Sequence, residues 1–308
     1  MLESVRGDEA ARLLLTLGVV ARPKSCDARS VCGRRKETEA PPAPESERRA
    51  CTTRPPVPRG IEFLRELAAG FAEFPYENIS KIIKVSNAGS LRDAIRLPTE
   101  VVTDHIERNF GGTCFSLTFL FERVLASLGF DCYRVMADMR SGRNVHCLVV
   151  VREGGTKYII DPGYALYEVI ALPAGGGERV RCPHATVEVQ DGGAGTYDLW
   201  TEDASGRKWR YRFEDRPVDD RAFEDHWLAS FGKSTLHNIC LTRMTPRGHI
   251  YLRKDFFKFT SPTSIEKRRV AGGCERLIEE EFGIGAQWAD LARSILDAKR
   301  AEGKALIG

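Results

Sequence analysis

The chain lacks the features that mark several classes of protein. None of its apolar runs approaches the roughly 20 residues that a membrane-spanning helix needs. Its nine cysteines include no Cys-x-x-Cys pair, so neither a zinc site with four ligands nor a disulfide framework is indicated. We therefore expect mostly buried free thiols in a reducing compartment, no bound metal and no membrane partner.

The chain also has little net charge. Its 308 residues carry a formal charge of only +3, which is too small to predict nucleic-acid binding. The basic excess is local, with ten basic and five acidic residues between Arg22 and Arg59. Glu3, Asp8 and Glu9 precede the apolar stretch Leu13–Ala21, whereas a signal peptide begins with positive charge. These features favour a cytoplasmic protein.

The spacing of apolar residues predicts an α+β fold. Helical spacing over residues 60–73, 99–109 and 113–130 predicts a helical bundle at the N-terminal side. From residue 133 the apolar period becomes two, which predicts an antiparallel sheet or barrel with strands at 133–139, 145–152, 157–161, 187–190, 196–201 and 207–213. Beyond residue 215 the pattern predicts a strand hairpin and three further helices, with strands at 236–242 and 249–254 and helices at 219–230, 272–282 and 286–302.

These elements predict five regions along the chain. Residues 23–58 contain seven of the fifteen prolines and few large apolar residues, a composition that predicts a disordered insert. The other four predicted regions are an N-terminal helix, a helical domain, an antiparallel β domain and an α/β lid with C-terminal helices, at residues 1–22, 59–132, 133–215 and 216–308.

Cys114 is the first candidate for a chemical role. It follows Gly111 and Gly112 and begins a predicted helix. Unpaired backbone N–H groups and the helix dipole at such a position stabilise a thiolate, which is the nucleophilic form of cysteine. The glycines would let a substrate approach the backbone. A buried and inert cysteine is the alternative interpretation.

His146 and Asp161 are the second candidate group. If strands 145–152 and 157–161 form a hairpin with Gly154 and Gly155 at the centre of its loop, Asp161 lies opposite Leu148. His146 is then a diagonal neighbour of Asp161, within reach of its side chain. A carboxylate there can orient the imidazole and stabilise the imidazolium. The adjacent Cys147 would point to the opposite face, outside this site.

Four motifs, in order, resemble those of the arylamine N-acetyltransferase family. Residues 109–115 (NFGGTCF) resemble the family motif R-G-G-x-C-F, and residues 74–78 (FPYEN) resemble P-F-E-N. Residues 146–150 (HCLVV) are similar to the H-x-x-L-V strand, and residues 161–164 (DPGY) to D-x-G-F. The spacing agrees as well, with His146 32 residues after Cys114 and Asp161 15 residues after His146.

The resemblance implies a cysteine-proteinase-like fold and an acyl-transfer mechanism. Cys114 would be acylated by acetyl-CoA, His146 would act as base and then acid, and Asp161 would orient His146. The acetyl group would pass to an arylamine, a hydrazine or another small amine in a ping-pong reaction. Residues that would contact substrate or co-substrate are those around the nucleophile: Phe110, Gly111, Gly112 and Thr113.

Three positions depart from the family pattern. Phe110 replaces the family arginine, Ser116 replaces the acidic residue after Cys-Phe, and Thr113 replaces an aromatic residue. The same triad would also serve a thiol hydrolase or a transglutaminase-like amidase, in which water or a lysine amine accepts the acyl group. A third interpretation is a non-catalytic descendant that uses the cleft for binding. The acyltransferase is the hypothesis that the motifs favour.

Overall fold

The computed structural model describes residues 60–72, 74–166, 168–232 and 236–302. The predicted helix in residues 1–22 and the predicted insert at 23–58 lie outside the described residues. The described part is a mixed α/β structure of seven helices and two antiparallel sheets. No helix in these ranges is long and apolar enough to cross a membrane.

Four helices precede the large sheet. They are α1 (Ile61–Ala72), α2 (Ile79–Asn87), α3 (Pro98–Arg108) and α4 (Cys114–Ser127), with a short strand β1 (Tyr76–Glu77) between the first two. Helix α3 begins on a proline and ends at Asn109 in the left-handed conformation (φ 55°), a typical pair of helix-end signals. Most residues of α4 are buried, because the helix packs against strands of the large sheet.

The large sheet has eight strands in the order β5-β4-β3-β2-β9-β8-β7-β6. Its edge strands β5 and β6 contact each other, so the sheet is nearly closed. The strands, in chain order, are β2 (Asp131–Met139), β3 (Gly142–Glu153), β4 (Thr156–Ile160), β5 (Ile170–Ala171), β6 (Gly177–Arg181), β7 (Thr186–Gly193), β8 (Thr196–Asp203) and β9 (Gly206–Glu214).

The C-terminal part adds helix α5 (Asp220–Phe231), a second sheet and two closing helices. The second sheet has the order β1-β10-β11-β12-β13, so strand β1 ties it to the segment that precedes α2. Its other strands are β10 (Cys240–Thr245), β11 (Gly248–Arg253), β12 (Phe256–Thr260) and β13 (Ile265–Arg269), and the helices are α6 (Glu275–Phe282) and α7 (Ala286–Ala301).

The predicted α+β class, with the cysteine on the helical side and a nearly closed antiparallel sheet, is confirmed. Helix α2 and five strands were not predicted from the sequence: β1, β5, β6, β12 and β13. The strand predicted from residue 236 begins at Cys240. Helix α2 is rich in β-branched residues, which have weak helix propensity, and it packs against α7. The proposed division into domains stays a prediction.

Candidate active site

Cys114 is the first residue of helix α4. The two glycines before it allow close backbone packing: a Cβ on Gly111 would lie 1.8 Å from the carbonyl oxygen of Pro75, and one on Gly112 would lie 2.3 Å from Ser116 Oγ. The backbone of the glycine loop pairs with β1, with the Glu77 N–H donating to Gly112 O at 3.0 Å. The glycines therefore fix the position of the helix start.

His146 and Asp161 form a hydrogen-bonded pair. The distance from His146 Nε2 to Asp161 Oδ2 is 2.7 Å, and both side chains are buried. The second oxygen of Asp161 accepts the backbone N–H of Tyr164 at 2.8 Å, which fixes the carboxylate. Because Nε2 is bonded to Asp161, Nδ1 is the ring nitrogen left for Cys114.

The hairpin that carries this pair has the predicted register. Val149 pairs with Ile160, and Glu153 pairs with Thr156 across Gly154 and Gly155. Strand β3 begins at Gly142, but its pairing with β4 begins only at Val149. The residues of β3 before Val149 therefore have no strand partner on the β4 side. Cys114 occupies this open edge, with its Sγ 3.9 Å from Val145 O.

The surroundings of Cys114 and His146 favour a thiolate beside an imidazolium. A hydrogen bond from Cys147, then the hydrogen bond and charge of His146, hold the pKa of Cys114 well below its usual value, against the opposing effect of burial. Burial pushes the pKa of His146 down, but Asp161 and Cys114 outweigh it and raise that pKa to about 10. These opposite shifts of the two pKa values favour an ionised sulfur beside a protonated ring.

Cys147 does not line the cavity with His146, but its thiol affects the pKa of the neighbouring Cys114. Burial, followed by the interaction with Cys114, raises the pKa of Cys147 well above its usual value. A protonated Cys147 is suited to donate a hydrogen bond to a thiolate at Cys114. Alternation along β3 does send His146 and Cys147 to opposite faces, but Cys114 reaches both because it sits at the open edge of the strand.

A cavity of about 760 Å³ opens onto Cys114 and His146, a size typical of small-molecule sites. Thr113 lines this cavity. Phe110 instead packs edge-on against Trp288, with ring centroids 5.7 Å apart. The substrate-binding roles predicted for Phe110, Gly111, Gly112 and Thr113 stay predictions.

Arg96 supplies a charge beside the glycine loop, where Phe110 and Ser116 lack one. Its guanidinium donates to Gly111 O at 2.8 Å and to Asp104 Oδ2 at 2.7 Å. It also lies 3.7 Å from the fully buried Glu77 carboxylate. An arginine from the segment before α3 thus anchors the glycine loop that precedes Cys114.

Several site residues escaped the sequence analysis. The ring of Tyr211, on β9, lies 5.0 Å from that of His146, and burial followed by the Asp161 charge raises the pKa of Tyr211 well above its usual value. Gly163 packs so closely on Cys114 that a Cβ there would lie 2.5 Å from Cys114 Cβ. Lys81 on α2 lines the cavity. Only Gly163 stood in a recognised motif.

Arg179, which follows the glycine run at 175–177, lies 2.5 Å from Glu202 and 3.6 Å from Glu188, so it already has acidic partners. Among the described residues, no group of three or more His, Cys, Asp or Glu side chains is arranged to hold a metal ion.

Comparison with known proteins identifies the family to which the chain belongs. The model of the N-acetyltransferase family matches residues 60–291. Solved arylamine N-acetyltransferases share the fold at low identity: that of M. tuberculosis is 19% identical with a TM-score of 0.64 and covers 77% of this chain and 93% of its own. The Salmonella typhimurium structure is 20% identical with a TM-score of 0.65, covering 79% and 93%, and the Mycobacterium abscessus structure is 21% identical with a TM-score of 0.65, covering 77% and 89%. No curated protein matches the chain in sequence.

The fold and the family match define an acyltransferase. More narrowly, the chain belongs to the arylamine N-acetyltransferase family, as its four motifs predicted.

Proposed function

We propose that the enzyme transfers an acetyl group from acetyl-CoA to a small arylamine or hydrazine through a thioester on Cys114. The observation that carries this proposal is that Cys114 and His146 line one cavity, with His146 hydrogen-bonded to the buried Asp161. A nucleophile, a base and an orienting carboxylate are the set that covalent acyl transfer needs.

The first half-reaction acylates the enzyme. The Cys114 thiolate attacks the thioester carbonyl, the bond from that carbon to the CoA sulfur breaks, and the His146 imidazolium protonates the departing thiolate. Asp161 holds His146 in the orientation that this proton transfer requires.

The second half-reaction releases the product. The acceptor nitrogen attacks the Cys114 thioester, neutral His146 takes the proton from that nitrogen, and Cys114 leaves as a thiolate. The ion pair is thereby restored for the next cycle.

The residues around the cavity fit such a co-substrate. Its wall combines apolar side chains with the cationic side chains of Arg210 and Lys258. The apolar side chains suit an acyl arm, and the two cations suit the anionic phosphates of CoA. The described cysteines are free thiols, which is consistent with the reducing, cytoplasmic location that we include in this proposal.

Intact-protein mass spectrometry tests the proposal. Exposure to acetyl-CoA should add one acetyl group, mapped to Cys114, and Cys114→Ala should show no adduct. Adding an arylamine or a hydrazide should then remove the acetyl group and yield the acetylated amine. Loss at the same rate with and without the amine would instead identify the hydrolase, and an adduct mapped to another residue would contradict the mechanism.

A further inference from the structure

Lys81 is a buried cation in the wall of the active-site cavity. It lies on helix α2 with only 5% of its surface exposed and shares the cavity with Cys114. Its Nζ donates to Ser230 Oγ at 3.1 Å and lies 4.1 Å from the ring centroid of Phe231. The mechanism above uses none of these contacts.

The ammonium of Lys81 has spare hydrogen-bonding capacity. Lysine carries three N–H donors, and one is bonded to Ser230, whose own hydroxyl donates to Trp227 O at 2.6 Å. No carboxylate among the described residues forms an ion pair with Lys81. Burial lowers the pKa of Lys81 to about 8, with the Cys114 thiolate acting against that decrease, so the side chain is mainly protonated at neutral pH.

A buried charge without an anionic partner is costly to the folded protein. The cation faces a cavity of ligand size, so an anionic group of a bound molecule can supply the missing partner. A thiolate at Cys114 also attracts Lys81, but Cys147 and His146 contribute more to the stabilisation of that thiolate.

We propose that Lys81 forms a carboxylate-binding subsite in the acyl-transfer cavity, which selects substrates that carry a carboxylate beside the reacting group. The carboxylate belongs either to the acyl chain, as in a dicarboxylic half-thioester, or to the acceptor, as in an aminobenzoate. This inference rests on the proposed function for the identity of the substrates. Ionic recognition at Cys114 can nevertheless be measured without any acyl transfer.

Alkylation of Cys114 provides that measurement. Iodoacetate and iodoacetamide deliver similar groups to the sulfur, but only iodoacetate carries a carboxylate. We take the ratio of the iodoacetate rate to the iodoacetamide rate and divide it by the same ratio for a free small thiol. A change in the reactivity of the thiolate alters both rates equally and leaves this ratio unchanged. Because a charge-assisted hydrogen bond discriminates by about tenfold, Lys81→Met should lower the ratio about tenfold, and Lys81→Arg should keep most of it.

Lys84→Met is the matched control. Lys84 lies one turn further along α2 and donates to Glu100 and Ile95 O instead of facing the cavity, so its loss should leave the ratio unchanged. If Lys81→Met slows both reagents by the same factor, Lys81 merely supports the thiolate and the subsite is refuted. Circular dichroism verifies that each variant is folded.

Two acyl-transfer comparisons then identify the source of the carboxylate. The donor arm compares succinyl-CoA with acetyl-CoA in acylation of Cys114. The acceptor arm compares 4-aminobenzoate with the neutral 4-aminobenzamide in deacylation. Lys81→Met should abolish the preference for the carboxylate in one arm. If Lys81→Met lowers the rates with charged and neutral substrates equally in both arms, the subsite is contradicted. If no acetyl transfer occurs but Lys81→Met still lowers the alkylation ratio, only the proposed function is refuted.

Discussion

At the residue scale, two neighbours along one strand lower the pKa of Cys114. They are Cys147, through its thiol, and His146, through its ring and its charge. A histidine in an H-x-x-L-V strand indicated His146. Strict alternation of side chains along the strand argued against Cys147. Alternation takes no account of a helix end that lies at the edge of the strand.

Replacing Cys147 by alanine should raise the pKa of Cys114. A hydrogen bond to a charged group contributes about 1.5–3 kcal/mol, which corresponds to an increase of about 1–2 pKa units. The pH at which Cys114 alkylation is half-maximal should rise by that amount, while Cys147→Ser should retain most of the effect.

Cys132→Ala is the control for that change. Cys132 is a half-buried free thiol whose pKa burial raises to about 12, and it bonds to Glu122 O rather than to the site. Its removal should leave the profile unchanged. An unchanged midpoint in Cys147→Ala would show that the thiol–thiol bond does not stabilise the thiolate.

Gly163→Ala should displace the nucleophile. Its new methyl carbon would lie 2.5 Å from Cys114 Cβ and 2.7 Å from Cys114 Cα, so the start of α4 must shift. Misplacement by about 1 Å costs roughly 100-fold in rate, and we expect a loss of that order in acylation with the secondary structure retained.

Gly154→Asn offers a comparison in the hairpin loop. Gly154 has φ 58°, and a Cβ added there would meet nothing within 4 Å. Asparagine tolerates that backbone conformation, so this variant should keep near-normal acylation. Comparable activity of Gly163→Ala and Gly154→Asn would disprove the tight contact at Cys114.

At the element scale, the glycine loop, β1 and α3 are held together by one buried cation. Arg96 bridges Gly111 O, Asp104 and the buried Glu77. Burial raises the pKa of Glu77, while Arg96 opposes that increase. Arg96→Met should therefore leave a buried carboxylate without its cation and destabilise the fold by about 3–5 kcal/mol.

Urea unfolding measures this loss. The double variant Arg96→Met/Glu77→Gln should regain part of the stability, because it removes the uncompensated charge as well. A decrease below about 1 kcal/mol for Arg96→Met alone would mean that this cluster behaves like a surface ion pair.

Periodicity predicted the long elements well and the short ones poorly. A continuous apolar face indicated helix α4, and a Gly-Gly turn indicated the β3–β4 hairpin. Strand β1 has two residues and exists only because β10 lies beside it, so no local pattern could indicate it. Arg96, Tyr211 and Lys81 likewise reach the site through long-range packing and stand in no motif.

At the scale of the whole molecule, residues 23–55 are predicted to be dispensable. The family match begins at residue 60, and residues 23–58 contain seven of the fifteen prolines, a composition that predicts a disordered segment. A chain without residues 23–55 should keep acetyl transfer within about twofold of the full chain. Failure of this deletion variant to fold would give the segment a structural role.

The central claim is that Cys114 is ionised at neutral pH by His146, and the pH dependence of its alkylation by iodoacetamide tests it most directly. The pKa of Cys114 is held well below its ordinary value and that of His146 is raised to about 10. The wild-type rate should therefore be flat between about pH 7 and 9, and His146→Gln should rise through the ordinary thiol pKa of about 8.5. A wild-type rate that climbs through the same range would contradict the ion pair and the mechanism built on it.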